Sequence, residues 1–497
     1  MSNLQSLFYF WPELILSGTI LVAIIVDLIY PRKQSFKVAY WVLGGIIIVG
    51  VVIVMPGGDS VFSLFMNTIA LDPFAQFFKI LILLATGLVI LISLKSKELK
   101  SYRLGEYFSI LAILAFGLFI MVSATDLLMV YLSLEIASIM SYFLAGYLKS
   151  AKSSSEASLK YVIYGAFSSG IMLFGLSILF GLTGSTQFGA IRSAIMGLEG
   201  SANLALILAS VFILVGFGYK ISAVPFHFWT PDVYEGSPTA VTAYLSVAPK
   251  AAGFALLIRF FNQVFADNIS LSALSWSALS GVQWPQLIAV LSVATMTLGN
   301  IVAIQQNSVK RMLAYSSIAH AGYMMMGLPV LSSQGIFGIM IYLIMYLFMN
   351  LGAFFVVIYV ESETGKSDYE NFKGLGWKMP FIGVVMTLFM ISLTGLPPTA
   401  GFIGKFYLFA ALIKAGPGFY WLAVIGVLNS VVSLYYYFRV VKSMYLEGKP
   451  SKVQSIPSLS ISLILLALAI PSLLFGIYWE PIANWVTNSM TLLSQVM

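Results

Sequence analysis

Cysteine is missing from all 497 positions, which excludes disulfides, thiolate nucleophiles and cysteine-ligated iron–sulfur clusters. Charge is scarce as well: Asp, Glu, Lys and Arg make up 9% of the chain, while hydrophobic residues make up 60%. A soluble fold with that balance has too little polar surface to cover itself. The chain is built for a bilayer. A helix needs roughly 20 residues to cross a hydrocarbon core about 30 Å thick, so about 14 crossings use roughly 280 residues and leave no room for a large soluble domain. The net charge of +7 does not point to nucleic acid, because the basic residues are scattered among loops between apolar runs. A phosphate cradle is lacking too. Gly216 and Gly218 have neither the third glycine nor the preceding strand of a dinucleotide fingerprint.

Fourteen apolar runs stand between clusters of Gly, Pro and charge, at 11–30, 37–55, 74–94, 106–123, 126–148, 157–182, 203–230, 238–261, 285–304, 312–331, 335–360, 379–412, 420–443 and 458–479. They predict an all-α polytopic membrane protein of about 14 transmembrane helices. The residues before the first run hold no Lys or Arg, and Glu13 flanks that run, so a cleaved signal peptide is not expected. If both termini lie outside, nineteen of the 26 basic residues fall in inside loops. They are Arg32, Lys33 and Lys37; Lys95, Lys97, Lys100 and Arg103; Lys149, Lys152 and Lys160; Lys310 and Arg311; Lys366, Lys373 and Lys378; Arg439, Lys442, Lys449 and Lys452. Only Arg192, Arg259 and Lys414 fall outside. The bias supports that orientation and an even number of crossings.

Two runs are too interrupted for single straight helices. The seventh carries GFGYKISAVPFHFW around Pro225, and the twelfth carries TGLPPTAGFIGKF around Pro397 and Pro398. Proline removes a backbone donor and clashes with the preceding turn, so each run is expected to break at membrane depth. Runs four to eight and nine to thirteen then form two five-helix blocks with the break in fourth place. Because five is odd, the second block enters from the opposite side, as in an inverted repeat. The expected organisation is a three-helix segment over 1–105, a first repeat over 106–261, a second over 285–443 and a C-terminal helix within 444–497.

Ionisable side chains inside a bilayer cost roughly 2.5 to 3.5 kcal/mol each on insertion scales and are functional candidates by default. Glu135 shares a helical stripe with Tyr131, Ser138 and Tyr142 and is expected to face protein. A salt bridge that merely ties two helices is the plainer reading of that carboxylate. Lys220 precedes the Pro225 break, Lys250 lies midway along the eighth run on the face of Thr239, Thr242 and Ser246, and Lys405 follows the double proline. A desolvated lysine loses its preference for the charged form and can load and release a proton. A nearby carboxylate opposes that loss, so Glu135 could gate Lys220. Lys79, near a run end, is expected to snorkel to an interface. His320 sits mid-run and suits a proton relay. Haem ligation by His227 and His320 is disfavoured, because His227 lies past the break and their depths do not match. The methionines and phenylalanines are read as packing and lipid contact.

The stretches YLSLEIASIMSYFLAGY, EASLKYVIYGAFSSGIMLFGLSILFGLTGS, KISAVPFHFWTPDVYEGSPTAVTAYLSVAPKAAG, KRMLAYSSIAHAGYM and GLPPTAGFIGKF, with WPE near residue 11, resemble the N-type antiporter-like subunits of respiratory complex I. The resemblance covers nearly the whole chain. A lysine after the twelfth-run break is similar to the N type rather than the M type, and the lack of a long C-terminal lateral helix disfavours the L type. Carried over by motif, the resemblance makes Glu135 and Lys220 the acid–lysine pair of a first half-channel. Lys250 becomes the connecting lysine and Lys405 the lysine of a second half-channel. It implies a proton-translocating subunit of a redox-driven NADH:quinone oxidoreductase, with a relay through Lys220, Lys250, His320 and Lys405. It also implies that this chain carries no cofactor or metal, that NADH, flavin, iron–sulfur clusters and quinone sit on partner subunits, and that the partners include M-type and small K-type membrane subunits. The expected location is the bacterial cell (inner) membrane, or a thylakoid membrane in a photosynthetic source. The competing classes are a stand-alone cation/proton antiporter and a structural spacer within a complex.

Overall fold

The computed structural model describes residues 3–55, 61–198, 203–267, 276–279, 283–448 and 457–490. A short helix α1 (Asn3–Leu7) precedes α2 (Trp11–Ile29) and α3 (Val38–Val54), which pack as a pair. A small antiparallel hairpin follows, β1 (Phe62–Leu64) with β2 (Ile69–Leu71), Phe62 opposite Leu71. Next come α4 (Pro73–Ser93), α5 (Leu104–Ser123), α6 (Leu127–Ala145) and the long α7 (Lys152–Thr183). The short α8 (Phe188–Met196) leads to α9 (Asn203–Ile221), a break, α10 (Trp229–Gly236) and α11 (Thr239–Val264). Beyond it lie α12 (Trp284–Ile304), α13 (Val309–Met325), α14 (Ser333–Thr364), α15 (Tyr369–Phe372) and α16 (Leu375–Lys378). The chain closes with α17 (Pro380–Thr394), a second break, α18 (Ala400–Lys414), α19 (Tyr420–Leu446), α20 (Leu459–Ile477) and α21 (Glu480–Met490).

Every apolar run of the sequence holds helix. Among the described residues, twelve helices are long and apolar enough to cross a membrane, and thirteen if Tyr369–Lys378 and Pro380–Thr394, which meet at 119°, count as one bent span. Of the fourteen runs, the tenth falls short: α13 has only 17 residues, among them Lys310, Arg311 and His320. Helix starts follow local chemistry. The Asp72 side chain accepts from Ala75 N–H at 2.7 Å ahead of Pro73, and Asp126 accepts from Leu128 N–H at 2.9 Å, so each satisfies a backbone donor the helix cannot.

Burial is uneven. In α11 the whole apolar window is buried, and in α14 94% of it, whereas in α2 only 28% is. The two buried helices pack against each other, with α4, α5 and α9 on one side and α18 and α20 on the other. By contrast α2, α3, α7, α19 and α20 present apolar faces outward, as lipid-facing helices do.

The basic loops gather at one end. Arg32 donates to the Ser101 carbonyl (2.9 Å), Arg103 pairs with Asp27 (2.8 Å), and Lys97 with Glu363 (2.8 Å). Asp232 joins Lys160 (2.7 Å) to Arg311 (3.0 Å), which also meets Glu235, and Arg439 donates to the Gln306 carbonyl (2.9 Å). Burial here pushes the Glu98 carboxyl above the usual carboxylate range, with Lys310 opposing the shift and Glu361 adding to it. Lys449 and Lys452 lie outside the described residues. At the other end a cavity of about 390 Å³ is lined by Asn67, Thr125, Gln187, Arg192 and Gln263.

Two expectations about single charges need correction. Lys79 does not snorkel: it is 2% exposed, and its ammonium lies 2.5 Å from Glu13. Arg259 is not in a loop but inside α11, fully buried, and holds Asp72 by two bonds of 2.7 and 2.9 Å. Arg192 is also buried, at 6% exposure. Position within a run shows how near a charge is to a helix end, but not a carboxylate partner 187 residues away.

Candidate proton track

Lys220 closes α9, one residue short of the break that spans 222–228. It is 3% exposed and donates to Ser138 Oγ on α6 at 3.2 Å. Glu135, one turn before Ser138, is half-buried and acts electrostatically on Lys220 from beyond ion-pair distance. Tyr142, on the same stripe, hydrogen-bonds Ser138 and Tyr219. The lysine therefore rests on a serine hydroxyl one helical turn from the acid. The Lys220 stem runs past Gly253 of α11, where an added Cβ would lie 3.5 Å from Lys220 Cγ. That glycine stands one turn from Lys250.

Lys250 sits in the middle of α11 at 1% exposure and donates to both the carbonyl (2.8 Å) and the hydroxyl (2.6 Å) of Ser317 on α13. The Tyr346 hydroxyl of α14, near Ser317, is buried with no hydrogen-bond partner among the described residues. Tyr346 lies against His320, with ring centres 5.0 Å apart. The polar residues expected on the Lys250 face serve neighbouring helices instead. Ser246 accepts from Asn350 (2.7 Å), and Thr242 donates to the Tyr234 carbonyl (2.7 Å).

His320 is 1% exposed and has both ring nitrogens engaged, Nδ1 with the Tyr342 hydroxyl at 2.6 Å and Nε2 with the Tyr437 hydroxyl at 2.9 Å. Tyr437 shares a further bond of 2.5 Å with Ser316. Next to it, Tyr436 donates to Asn300 (2.8 Å), which donates to the Tyr323 hydroxyl (2.9 Å). With its two nitrogens so occupied, His320 has no lone pair aimed at a haem. His227 lies in the first break, 4% exposed.

The Tyr323 ring carries Lys405 over its face, Nζ 4.5 Å from the centroid. Lys405, in the second turn of α18, donates to the Thr394 carbonyl at 2.8 Å and to Ser430 Oγ at 3.1 Å. Thr394 is the last residue of α17, so the carbonyl freed by the helix break is the one that holds the ammonium. Gly395 follows with φ +87°, and a Cβ there would come 2.8 Å from Lys405 Cδ. That site needs glycine both for its backbone and for the lysine stem.

Of the five residues singled out in the sequence, Lys220, Lys250, His320 and Lys405 are buried with polar partners on neighbouring helices, and Glu135 is half-buried. The sequence reading missed the hydroxyls that partner them, Ser138, Ser317, Tyr342, Tyr437 and Ser430, and the Tyr323 ring beneath Lys405. Such an arrangement can pass protons between stations while water and ions stay out.

A family model described as "NADH:quinone oxidoreductase/Mrp antiporter, TM" matches residues 124–433. The chain is 44% identical to the NADH-quinone oxidoreductase subunit N of Anaeromyxobacter sp. (strain Fw109-5), over 99% of this chain and 98% of that protein. It is 47% identical to the NADH-quinone oxidoreductase subunit N 2 of Chloroherpeton thalassium (strain ATCC 35110 / GB-78), over 98% and 95%. Among solved structures it is similar to a chain of respiratory complex I from Thermus thermophilus with bound Aureothin. That match has 28% identity and a TM-score of 0.78, over 95% of this chain and 98% of the other.

Proposed function

The chain belongs to the NADH:quinone oxidoreductase/Mrp antiporter transmembrane family, and from that premise we propose that it is the N-type, antiporter-like membrane-arm subunit of a proton-translocating NADH:quinone oxidoreductase. Protons move between Lys220, Lys250, His320 and Lys405, and Glu135 biases the occupancy of Lys220. The observation that carries this reading is the burial and pairing of the ionisable groups: each lysine rests on a hydroxyl or carbonyl of the neighbouring helix, and His320 bridges two tyrosines. A structural spacer has no use for three lysines held at almost complete burial.

Redox centres belong to partner subunits in this reading, since a cysteine-free chain cannot ligate iron–sulfur clusters. NADH, flavin and quinone are placed with them. M-type and small K-type membrane subunits are the neighbours, in the bacterial cell membrane or a thylakoid membrane, with both termini outside. Fourteen crossings divide into the three-helix segment 1–105, inverted five-helix repeats over 106–261 and 285–443, and a closing helix within 444–497. Breaks at the corresponding places of both blocks, α9/α10 and α17/α18, support the repeat. A stand-alone antiporter is the rival, and a purified lone chain that exchanges sodium for protons in liposomes would establish it.

Lys405 provides the test. Lys405→Ala removes the titratable site but leaves Pro397 and Pro398 to keep the break, and it is expected to stop quinone-linked pumping in vesicles, normalised to assembled complex. Lys405→Arg keeps the charge on the Thr394 carbonyl but cannot release its proton at any working pH, so it is expected to fail as well. Near-normal pumping by Lys405→Arg would make this position a fixed charge.

A further inference from the structure

One face of α4 takes no part in the track from Lys220 to Lys405. Asp72, Lys79, Thr86 and Ser93 recur every seven residues, a spacing of almost two full helical turns, so all four share that face. Each is buried, at no more than 2% exposure. Each meets a polar group on a neighbouring helix. Asp72 is held by Arg259 of α11, Lys79 by Glu13 of α2 at 2.5 Å, Thr86 by the Tyr244 hydroxyl of α11 at 2.9 Å, and Ser93 by the Tyr107 hydroxyl of α5 at 3.0 Å. Beyond Ser93, Tyr107 lies in the field of Glu98. Glu98 accepts from Thr239 N–H at 3.1 Å in the basic end of the molecule. With 21 residues, α4 is about 30 Å long, as thick as the hydrocarbon core. The stripe therefore runs from one end of the molecule to the other.

Apolar packing alone would hold these helices, and burying ions to do so is expensive. The two ion pairs also differ chemically. A guanidinium does not deprotonate, so Asp72–Arg259 is a fixed charge pair, whereas Lys79 and Glu13 become a neutral amine and a neutral acid when one proton moves. The charged groups near Lys79 are Glu13 and Asp72, with Arg259 behind Asp72, and the Phe119 ring lies 5.8 Å from its ammonium.

We propose that this face of α4 is a second proton track, separate from that of Lys220 and Lys405, with Glu13–Lys79 as its titratable station. The Nζ–H bond of the Lys79 ammonium breaks as an O–H bond forms on the Glu13 carboxylate. The acid then releases its proton past Asp72, and the amine is recharged from the Glu98 end through the hydroxyl pairs at Ser93 and Thr86. The stations stand roughly 10 Å apart along α4, so on this proposal water has to enter the stripe to carry the proton between them. No electron moves.

This proposal rests on the proton-translocating reading above, and its test keeps the two apart. The assembled complex in vesicles is assayed for protons moved per electron passed to quinone, with Lys220→Met, Lys79→Arg and their combination side by side. Lys79→Arg preserves the ion pair to Glu13 but holds its proton, so it is expected to assemble in wild-type amount and to lower the ratio. The combination with Lys220→Met should lower it further than either change alone. A wild-type ratio for Lys220→Met overturns the parent reading. A wild-type ratio for Lys79→Arg, with Lys220→Met impaired, overturns the α4 track alone. Should Lys79→Arg fail to assemble, Glu13→Gln combined with Lys79→Gln keeps a neutral hydrogen-bonded pair and is read the same way. If neither assembles, the pair is a structural clamp and the proposal falls.

Discussion

Lys220 differs from Lys250 and Lys405 in having an acid nearby but not in contact. Its hydrogen-bond partner is Ser138 at 3.2 Å, and Glu135 acts through space along the same helical stripe. A charge acting across a low-dielectric gap still couples strongly. Glu135→Gln and Lys220→Met are each expected to impair pumping while the complex assembles, and the double variant to be less impaired than the sum. The expected interaction energy is about 1 kcal/mol, roughly fivefold in rate, read from a double-mutant cycle on pumping rate per assembled complex. Strictly additive losses would dissolve the pairing. The charged members of the track were legible in the sequence because an ionisable residue inside an apolar run is conspicuous. Its hydroxyls were not, since Tyr342 and Tyr346, four residues apart in IYLIMYLFMN, look like any aromatic packing face. Lys79 was misread for a related reason: its partner Glu13 stands on another helix, and no local pattern links the two.

At the scale of elements, the two broken helices place the chemistry, and their prolines made the breaks legible. The close approach between the halves was not. A Cβ on Gly401, in the first turn of α18, would lie 1.7 Å from the Ser392 carbonyl of α17, and Gly401 N–H donates to Ser392 Oγ at 3.1 Å. Backbone must shift to admit even a methyl group, and Lys405 sits one turn further on. Gly401→Ala is therefore expected to destabilise the assembled complex by about 1–3 kcal/mol and to lower pumping, seen as reduced complex yield and an earlier thermal transition. Gly181→Ala on α7, where an added Cβ meets nothing within 4 Å, is the matched control and should be neutral. Equal behaviour of the two would remove the steric argument. The run expected over 312–331 holds α13, whose 17 residues include Lys310, Arg311 and His320. Its charges are satisfied within the bundle, Lys310 by the Ser237 carbonyl (2.7 Å) and Arg311 by Asp232 and Glu235.

For the whole molecule, charge asymmetry is the ground for the proposed orientation. The loops rich in Lys and Arg are bonded to one another at one end, through Lys97–Glu363, Lys160–Asp232–Arg311 and Arg439. Of the cations assigned to the opposite end, Arg259 lies inside α11 paired with Asp72, while Arg192 stays at that end in the lining of its cavity. The asymmetry at the surface is thus steeper than the loop count suggested, and the rule that basic loops stay in the cytoplasm applies with more force. A chain without cysteine is suited to a direct check. Single cysteines at Lys95 and Lys100, both exposed at the basic end, are expected to resist an impermeant thiol reagent applied to intact cells and to react after permeabilisation. A cysteine at Ser193, exposed beside buried Arg192 at the other end, is expected to react from outside in intact cells. The reverse pattern would invert the orientation and with it the direction in which both the Lys220–Lys405 track and the α4 stripe deliver protons, while leaving their residues unchanged. Labelling all three sites from one side would mean that Ser193 and the basic loops share a face, which the span of α4 and α11 between them does not allow.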